Sequence, residues 1–298
     1  MKFRAHETFF IRKGWLSKGM KNVHIAPDVF ISHENNPMDV LGIGSKMVKS
    51  LRYWMVASGL TVEPIVGRRE QTITPFGEIV LNNDRYFEEL GTLFLVHYHL
   101  AKNYEEATSW YFFFNEFKLS KFSRDDFILH IEKFIREKGL SEQSERLLDD
   151  DFNCIINTYV SRAKTNPEKV KPESNIDCPL GELGLIDVMR TENNGNRLKI
   201  YHKGIPKNDM LHPLILLAVI IDQSQGEKEI RISSIQNDKC NAGKIFNLDI
   251  INLTTLLYKI ELLGYIKVNR TAGLDVINIK TDWSFLDCVQ EYYNVINN

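Results

Sequence analysis

The sequence predicts a mainly α protein, with two winged-helix-like units and small β-hairpins around an all-helical middle region. Three observations predict it. Residues 46–58 place Met47, Leu51, Trp54 and Met55 on one helical stripe that Gly59 ends, and hairpin signals follow. Residues 84–161 carry helical periods and a dense aromatic block. The helix–glycine–hairpin order of 46–74 returns at 248–280.

Each element has a local reason. Residues 1–40 hold Pro27, Pro37 and Asn35-Asn36 and read as irregular, apart from a short extended piece at Val29-Phe30-Ile31. Gly42-Ile43-Gly44-Ser45 is a turn with Ser45 as the helix N-cap. After helix 46–58, extended pieces at 60–66 and 72–74 flank a basic tip, Gly67-Arg68-Arg69-Glu70. Pro75 opens a short helix at its first position. The stretch 84–118 is helical and aromatic, and amphipathic helices follow at 124–138 and 141–161. Two prolines and no apolar period mark 162–177 as a linker. A short helix at 179–185 precedes strands at 186–190 and 197–202, joined around Asn194-Gly195, a strong hairpin signal. Helices at 213–223, 233–237 and 248–263 lead to a hairpin of 265–269 and 275–280, and then to a helix at 283–295. The expected organisation is an N-terminal arm and winged-helix-like unit (1–83), a helical middle region (84–161), a linker (162–177) and a C-terminal winged-helix domain (178–298).

Composition narrows the function classes. The chain has 298 residues, 43% hydrophobic and 26% charged, as expected of a folded protein of about two domains. The longest apolar run, Leu214 to Ile221, is far short of the ~20 residues that span a bilayer. The opening residues carry no apolar signal segment, and Cys154, Cys178, Cys240 and Cys288 form no C-x-x-C pair. A cytoplasmic protein with reduced thiols, no membrane partner and no cofactor is the expectation. The net charge of −2 argues against a chain that coats DNA along its whole length. That total conceals a division. Residues 1–80 carry 11 basic and 7 acidic side chains, whereas residues 81–160 carry 9 and 15.

Four stretches carry a resemblance: the opening string from His6-Glu7-Thr8-Phe9-Phe10 to Trp15-Leu16, residues 41–54, Thr74-Pro75-Phe76-Gly77, and residues 107–117. They resemble a bacterial family, the domain of unknown function numbered four thousand and seven, over nearly the whole chain. Members sit in anti-phage defence neighbourhoods, often near phosphorothioate DNA-modification genes. The resemblance implies a DNA-related role in defence or modification, with other proteins of those systems as partners. It brings no catalytic residue.

The residues themselves suggest where DNA would bind. Helix 46–58 presents Lys46, Lys49, Ser50, Arg52 and Tyr53 away from its apolar stripe, and a winged helix lays such a face in the major groove. Arg68 and Arg69 at the hairpin tip would reach backbone or minor groove. In the last third, Asn252, Thr255 and Lys259, with Lys267 and Arg270 on the wing, form a second candidate set. The competing reading of each is a solvated face, or a surface that docks protein subunits.

Other features read as structure. Gly42-Ile43-Gly44-Ser45 lacks the Lys-Ser/Thr ending of a phosphate loop. His97 and His99, two apart on a helix, point about 200° apart and cannot share a metal on one face. Asp149-Asp150-Asp151 reads as a solvated helix turn, and the aromatics from Trp110 to Phe117 as core. A non-enzymatic DNA-binding protein, accessory or regulatory, is the leading expectation. A protein-docking scaffold is the alternative, and a nuclease or transferase with a non-local site is the least favoured.

Overall fold

The computed structural model describes residues 1–160, 178–193, 196–207, 209–271 and 274–297. The expected linker, the Asn194-Gly195 turn and the Ala272-Gly273 turn lie outside the described residues.

The first surprise is a helix in the stretch read as irregular. Gly14, at φ 79°, turns the chain into α1 (Trp15–Ile25), which buries Trp15, Leu16, Gly19, Met20 and Val23. Gly19 brings the helix close to Met55, whose Sδ would lie 2.5 Å from a Cβ there and would have to shift. Val29 to Ile31 forms turns, not a strand. Asn36 caps α2 (Pro37–Leu41) by accepting from the Met38 amide. The expected helix is α3 (Ser45–Ala57). Gly44, not Ser45, holds its N-cap position, and Gly59 follows its C-cap at φ 72°.

The hairpin after α3 is shorter than expected. Strands β1 (Thr61–Val62) and β2 (Thr72–Ile73) pair antiparallel for two residues each. Pro64 has no N–H to continue the ladder, and the Glu63 side chain turns back to Arg52. Helix α4 (Pro75–Asn83) begins with proline at N1, and the Thr74 hydroxyl accepts from the Gly77 amide.

The middle is built on α5 (Leu90–Lys102), in which every residue from Gly91 to Tyr98 is buried. A helix with no solvent face lies at the centre of a fold, covered on every side. The stretch 84–118 is not one helix. After α5 the chain breaks, forms α6 (Thr108–Tyr111), and widens into a π-helical turn at Phe112–Glu116. Trp110, Phe112, Phe113, Phe114 and Phe117 are all buried, so the aromatic block is core. The middle region is also not all-helical, because β3 (Lys121–Phe122) precedes α7 (Arg124–Glu137) and α8 (Glu145–Tyr159).

In the last third a 3-10 turn at Pro179–Leu183 leads into β4 (Ile186–Asn193) and β5 (Asn196–Lys203). Strand β3 adds to the free edge of β5, with Phe122 opposite Tyr201. Then come α9 (Pro213–Ser224), β6 (Glu229–Arg231), α10 (Ile232–Asn237), α11 (Ala242–Ile245) and α12 (Ile250–Leu262). Strands β7 (Ile266–Thr271) and β8 (Leu274–Ile279) and helix α13 (Phe285–Ile296) complete the chain. The short strand β6 was not expected. It pairs with β8, which lies between β6 and β7. The chain is thus mainly α, with small antiparallel sheets.

Packing on α5 joins the middle of the chain to its last third. The Tyr292 hydroxyl accepts from the Gly91 amide at 3.2 Å, and Tyr293 and Thr92 share a 2.6 Å hydroxyl pair. His97 Nε2 lies 2.7 Å from the Ile245 carbonyl, which can only accept, so Nε2 donates. Nδ1 then accepts from the Tyr159 hydroxyl at 2.7 Å. Burial pushes the pKa of this imidazole down to about 4. The π-helical turn is closed from β5, where Lys203 Nζ donates to the Phe113 and Phe117 carbonyls at 2.7 and 2.6 Å. Burial lowers the Lys203 pKa to about 7.

These two buried groups set expectations for stability. His97→Leu strands one carbonyl and one hydroxyl and should lower unfolding free energy by about 2–4 kcal/mol in urea titrations. Because the folded state resists protonating His97, the unfolded state binds more protons between pH 6.5 and about 4. Stability should therefore fall as pH drops through that window, less steeply in the variant. Lys203→Met removes the donor of the Phe113 and Phe117 carbonyls and should cost about 1–3 kcal/mol. The depressed lysine pKa makes wild-type stability rise with pH from about 7 toward 10.5, and this variant should lose that rise.

Candidate nucleic-acid interface

Four of the residues singled out in the sequence meet in one cleft. Lys49, Arg52 and Tyr53 face it from α3 and Arg69 from the β1–β2 loop, with Lys2 and Ala5 of the N-terminal arm and Glu63 and Glu106 beside them. The cleft holds about 720 Å³. Four cations and two carboxylates line it, an excess of positive charge.

A network centred on Glu63 shapes the cleft. Arg52 Nε lies 2.7 Å from one carboxylate oxygen and Arg69 Nη2 lies 2.5 Å from the other. Arg52 also donates to the Arg69 carbonyl, and Gln71 donates to the Arg52 carbonyl at 2.9 Å. The Glu63 side chain is only 8% exposed. Burial alone would raise its pKa, but Arg52, Arg69 and Gln71 together hold it below the usual carboxylate range. Lys2 pairs with Glu106 at 2.6 Å, and the Tyr53 hydroxyl donates to the Glu106 carbonyl at 3.0 Å. Burial first, and the nearby Asp151 carboxylate second, push the Tyr53 phenol well above its ordinary pKa. Lys49 is exposed and unpaired among the described residues, as is Lys46, one turn before it.

The remaining predicted residues lie elsewhere. Ser50 is buried, and its hydroxyl donates to the Phe9 carbonyl together with Trp54 Nε1. It fastens the arm to α3 and presents nothing to solvent. Arg68 lies outside the cleft and pairs with Asp28 and Glu70, each at 2.9 Å. Asn252, Thr255 and Lys259 border a smaller hollow of about 330 Å³ on α12. Lys259 pairs with Asp209 and Lys267 with Glu261. Arg270 donates to Thr254 and lies 5.8 Å above the Tyr258 ring. Beside them Ile251, Tyr258 and Leu262 are 74%, 42% and 87% exposed.

Asp149-Asp150-Asp151 is not a solvated turn. Asp151 is buried and accepts from the Arg4 amide at 2.8 Å, the Ser109 hydroxyl at 2.6 Å and His6 Nε2 at 2.7 Å. The Thr8 amide donates to His6 Nδ1, which leaves the ring proton on Nε2. Asp150 pairs with Arg4 and Asp149 with Arg124. The spacing held a clue, since Asp151 stands three residues after Leu148 and four before Ile155, on the apolar stripe of α8. The His6 ring stacks 5.9 Å from Trp54 and meets the edge of Trp110 at 5.7 Å, so this node forms the wall behind Tyr53. Glu63 also escaped notice, because its importance depends on two arginines that only the fold brings to it. Among the described residues, no three His, Cys, Asp or Glu side chains come together as a metal ligand set.

No curated protein matches the chain. Two solved structures, described as "SspB crystal structure" and "Magnesium ion-bound SspB crystal structure", share its fold. Each has a TM-score of 0.82 and 23% identity, over 100% of this chain and 89% of SspB. At that identity the likeness is one of fold. The sequence profile of the family described as "Protein of unknown function (DUF4007)" matches residues 3–293. With nearly its whole length matched, the chain belongs to the DUF4007 family.

Proposed function

We propose that the chain is a DNA-binding accessory or regulatory protein of a bacterial anti-phage defence or phosphorothioation-linked DNA-modification system. The observation that carries the DNA reading is the meeting of Lys49, Arg52, Tyr53 and Arg69 in one cleft with an excess of cations, next to the unpaired Lys46. The cations neutralise phosphates, and this term dominates affinity for a polyanion. The order α3–β1–β2–α4 supports a winged-helix reading, with α3 along the major groove and the β1–β2 loop as the wing. So does the order α9–β6–α10–α11–α12–β7–β8 with β8 central. Family membership and the SspB fold support the defence setting.

A second reading applies to α12. Its outer face shows Ile251, Thr255, Tyr258 and Leu262 at helical spacing, and two neighbouring lysines are already paired with acids. Such a face suits a protein partner of the same system better than phosphate.

Labelled duplex DNA titrated across a salt series tests the main reading. Affinity should fall as salt rises, and Lys49→Ala with Arg69→Ala should reduce the log–log slope by about 1–2. Glu63→Gln removes the acid that occupies both guanidinium groups, and should tighten binding about fivefold, the size of an ion pair near 1 kcal/mol. Absence of binding at about 50 mM salt overturns the reading. One SspB structure is described as magnesium ion-bound. Strand nicking in these tubes once magnesium is added would make the chain an enzyme instead.

A further inference from the structure

The loop between β1 and β2 ends in two bare apolar side chains. Ile65 is 95% exposed and Val66 is 86% exposed. The fold has no use for them there, since neither packs on the core and each leaves a full aliphatic surface in water. The loop is nonetheless braced. Glu63 at its start holds Arg52 and Arg69, Arg68 reaches Asp28 and Glu70, and the Gln71 amide donates to the Pro27 carbonyl at 2.9 Å. Pro64 precedes the tip and Gly67, at φ 88°, turns the chain after it. Both tip residues are β-branched, so burying them freezes little rotamer freedom.

Charge identifies what would cover the tip. Arg68 and Arg69 follow it after Gly67, and Ile65 itself lines the cationic cleft with Lys49 and Arg52. A polyanion with an apolar interior matches that arrangement, and a DNA duplex has stacked bases inside a phosphate sheath. We propose that Ile65 and Val66 form a wedge that enters the minor groove and parts one base step, kinking the duplex while Lys49, Arg68 and Arg69 hold its phosphates. This rests on the DNA reading above and adds a mode of binding to it. Apolar wedges of this kind unstack a step and bend the duplex away from the groove they enter. Pyrimidine–purine steps part most easily, so a central TA step should be favoured over GG.

The test is energy transfer between dyes on the two ends of a duplex of about 20 base pairs, read together with affinity. Wild-type protein should bring the ends closer. The double variant I65S/V66S, altered only at exposed positions and checked by its melting temperature, should leave the duplex straight. It should bind about tenfold more weakly with the salt slope unchanged. R68A/R69A should do the reverse in part, lowering the slope. If I65S/V66S binds and bends like wild type, the wedge is wrong and the DNA reading stands. A straight duplex in the wild-type complex likewise overturns the wedge and leaves DNA binding intact. If wild type binds no duplex at low salt, both fall. Binding of wild type, but not of I65S/V66S, to vesicles of anionic phospholipid without any bending of DNA would assign the tip to a lipid surface and overturn the wedge.

Discussion

A carboxylate buried away from water must have its oxygens satisfied, and Asp151 meets that demand with three groups from two distant parts of the chain. The arm supplies the Arg4 amide and His6, α6 supplies Ser109, and α8 carries the acid. Once residues 4–8 are held against α8, the Phe9 carbonyl stands where Ser50 and Trp54 can both donate to it. That fastens α3. The stacked rings of His6 and Trp54 then support Tyr53, and the outer face of α3 becomes one wall of the cleft. The proposed DNA surface is therefore positioned from behind by an acid that never meets solvent.

The electrostatics of that surface are restrained. Of the cations chosen from the sequence, Arg52 and Arg69 share Glu63, Arg68 has Asp28 and Glu70, and Lys259 and Lys267 have one acid each. Pairing makes a positive patch weaker than a count of lysines and arginines suggests, and it fixes where each guanidinium points. The near-neutral total and the basic first quarter are two views of one arrangement. Positive charge in the cleft is held close to negative charge, and Lys46 and Lys49 of α3 stand unpaired beside it among the described residues.

Helix α3, its glycine stop and the proline start of α4 were legible because each is decided within a few residues. Four cleft residues were legible too, since Lys49, Arg52 and Tyr53 share a helix face and Arg69 sits in a loop that glycine marks. What stayed hidden depends on distant partners. Strands β3 and β6 exist only because β5 and β8 offer edges to them. Helix α1 hid because its stripe includes Gly19, which looks like a breaker and serves as a contact point for Met55. Ser50 looked like part of an outward polar face, but one helix position turned it toward the arm. Asp151 and Glu63 are ordinary acids until burial makes their partners obligatory.

The seat of Tyr292 on α5 has a consequence for the growing chain. Gly91 leaves room for that ring and no more, since a Cβ would lie 2.3 Å from it. The tyrosine that fills the space is made 201 residues after the glycine that receives it. Throughout synthesis of the intervening stretch, the central helix of the protein has one side open. A chain in that state leaves the Gly91 amide and the Thr92 hydroxyl without their tyrosine partners. Helix α13 is thus a piece the central helix must wait for, and the order of translation sets when that packing can be completed.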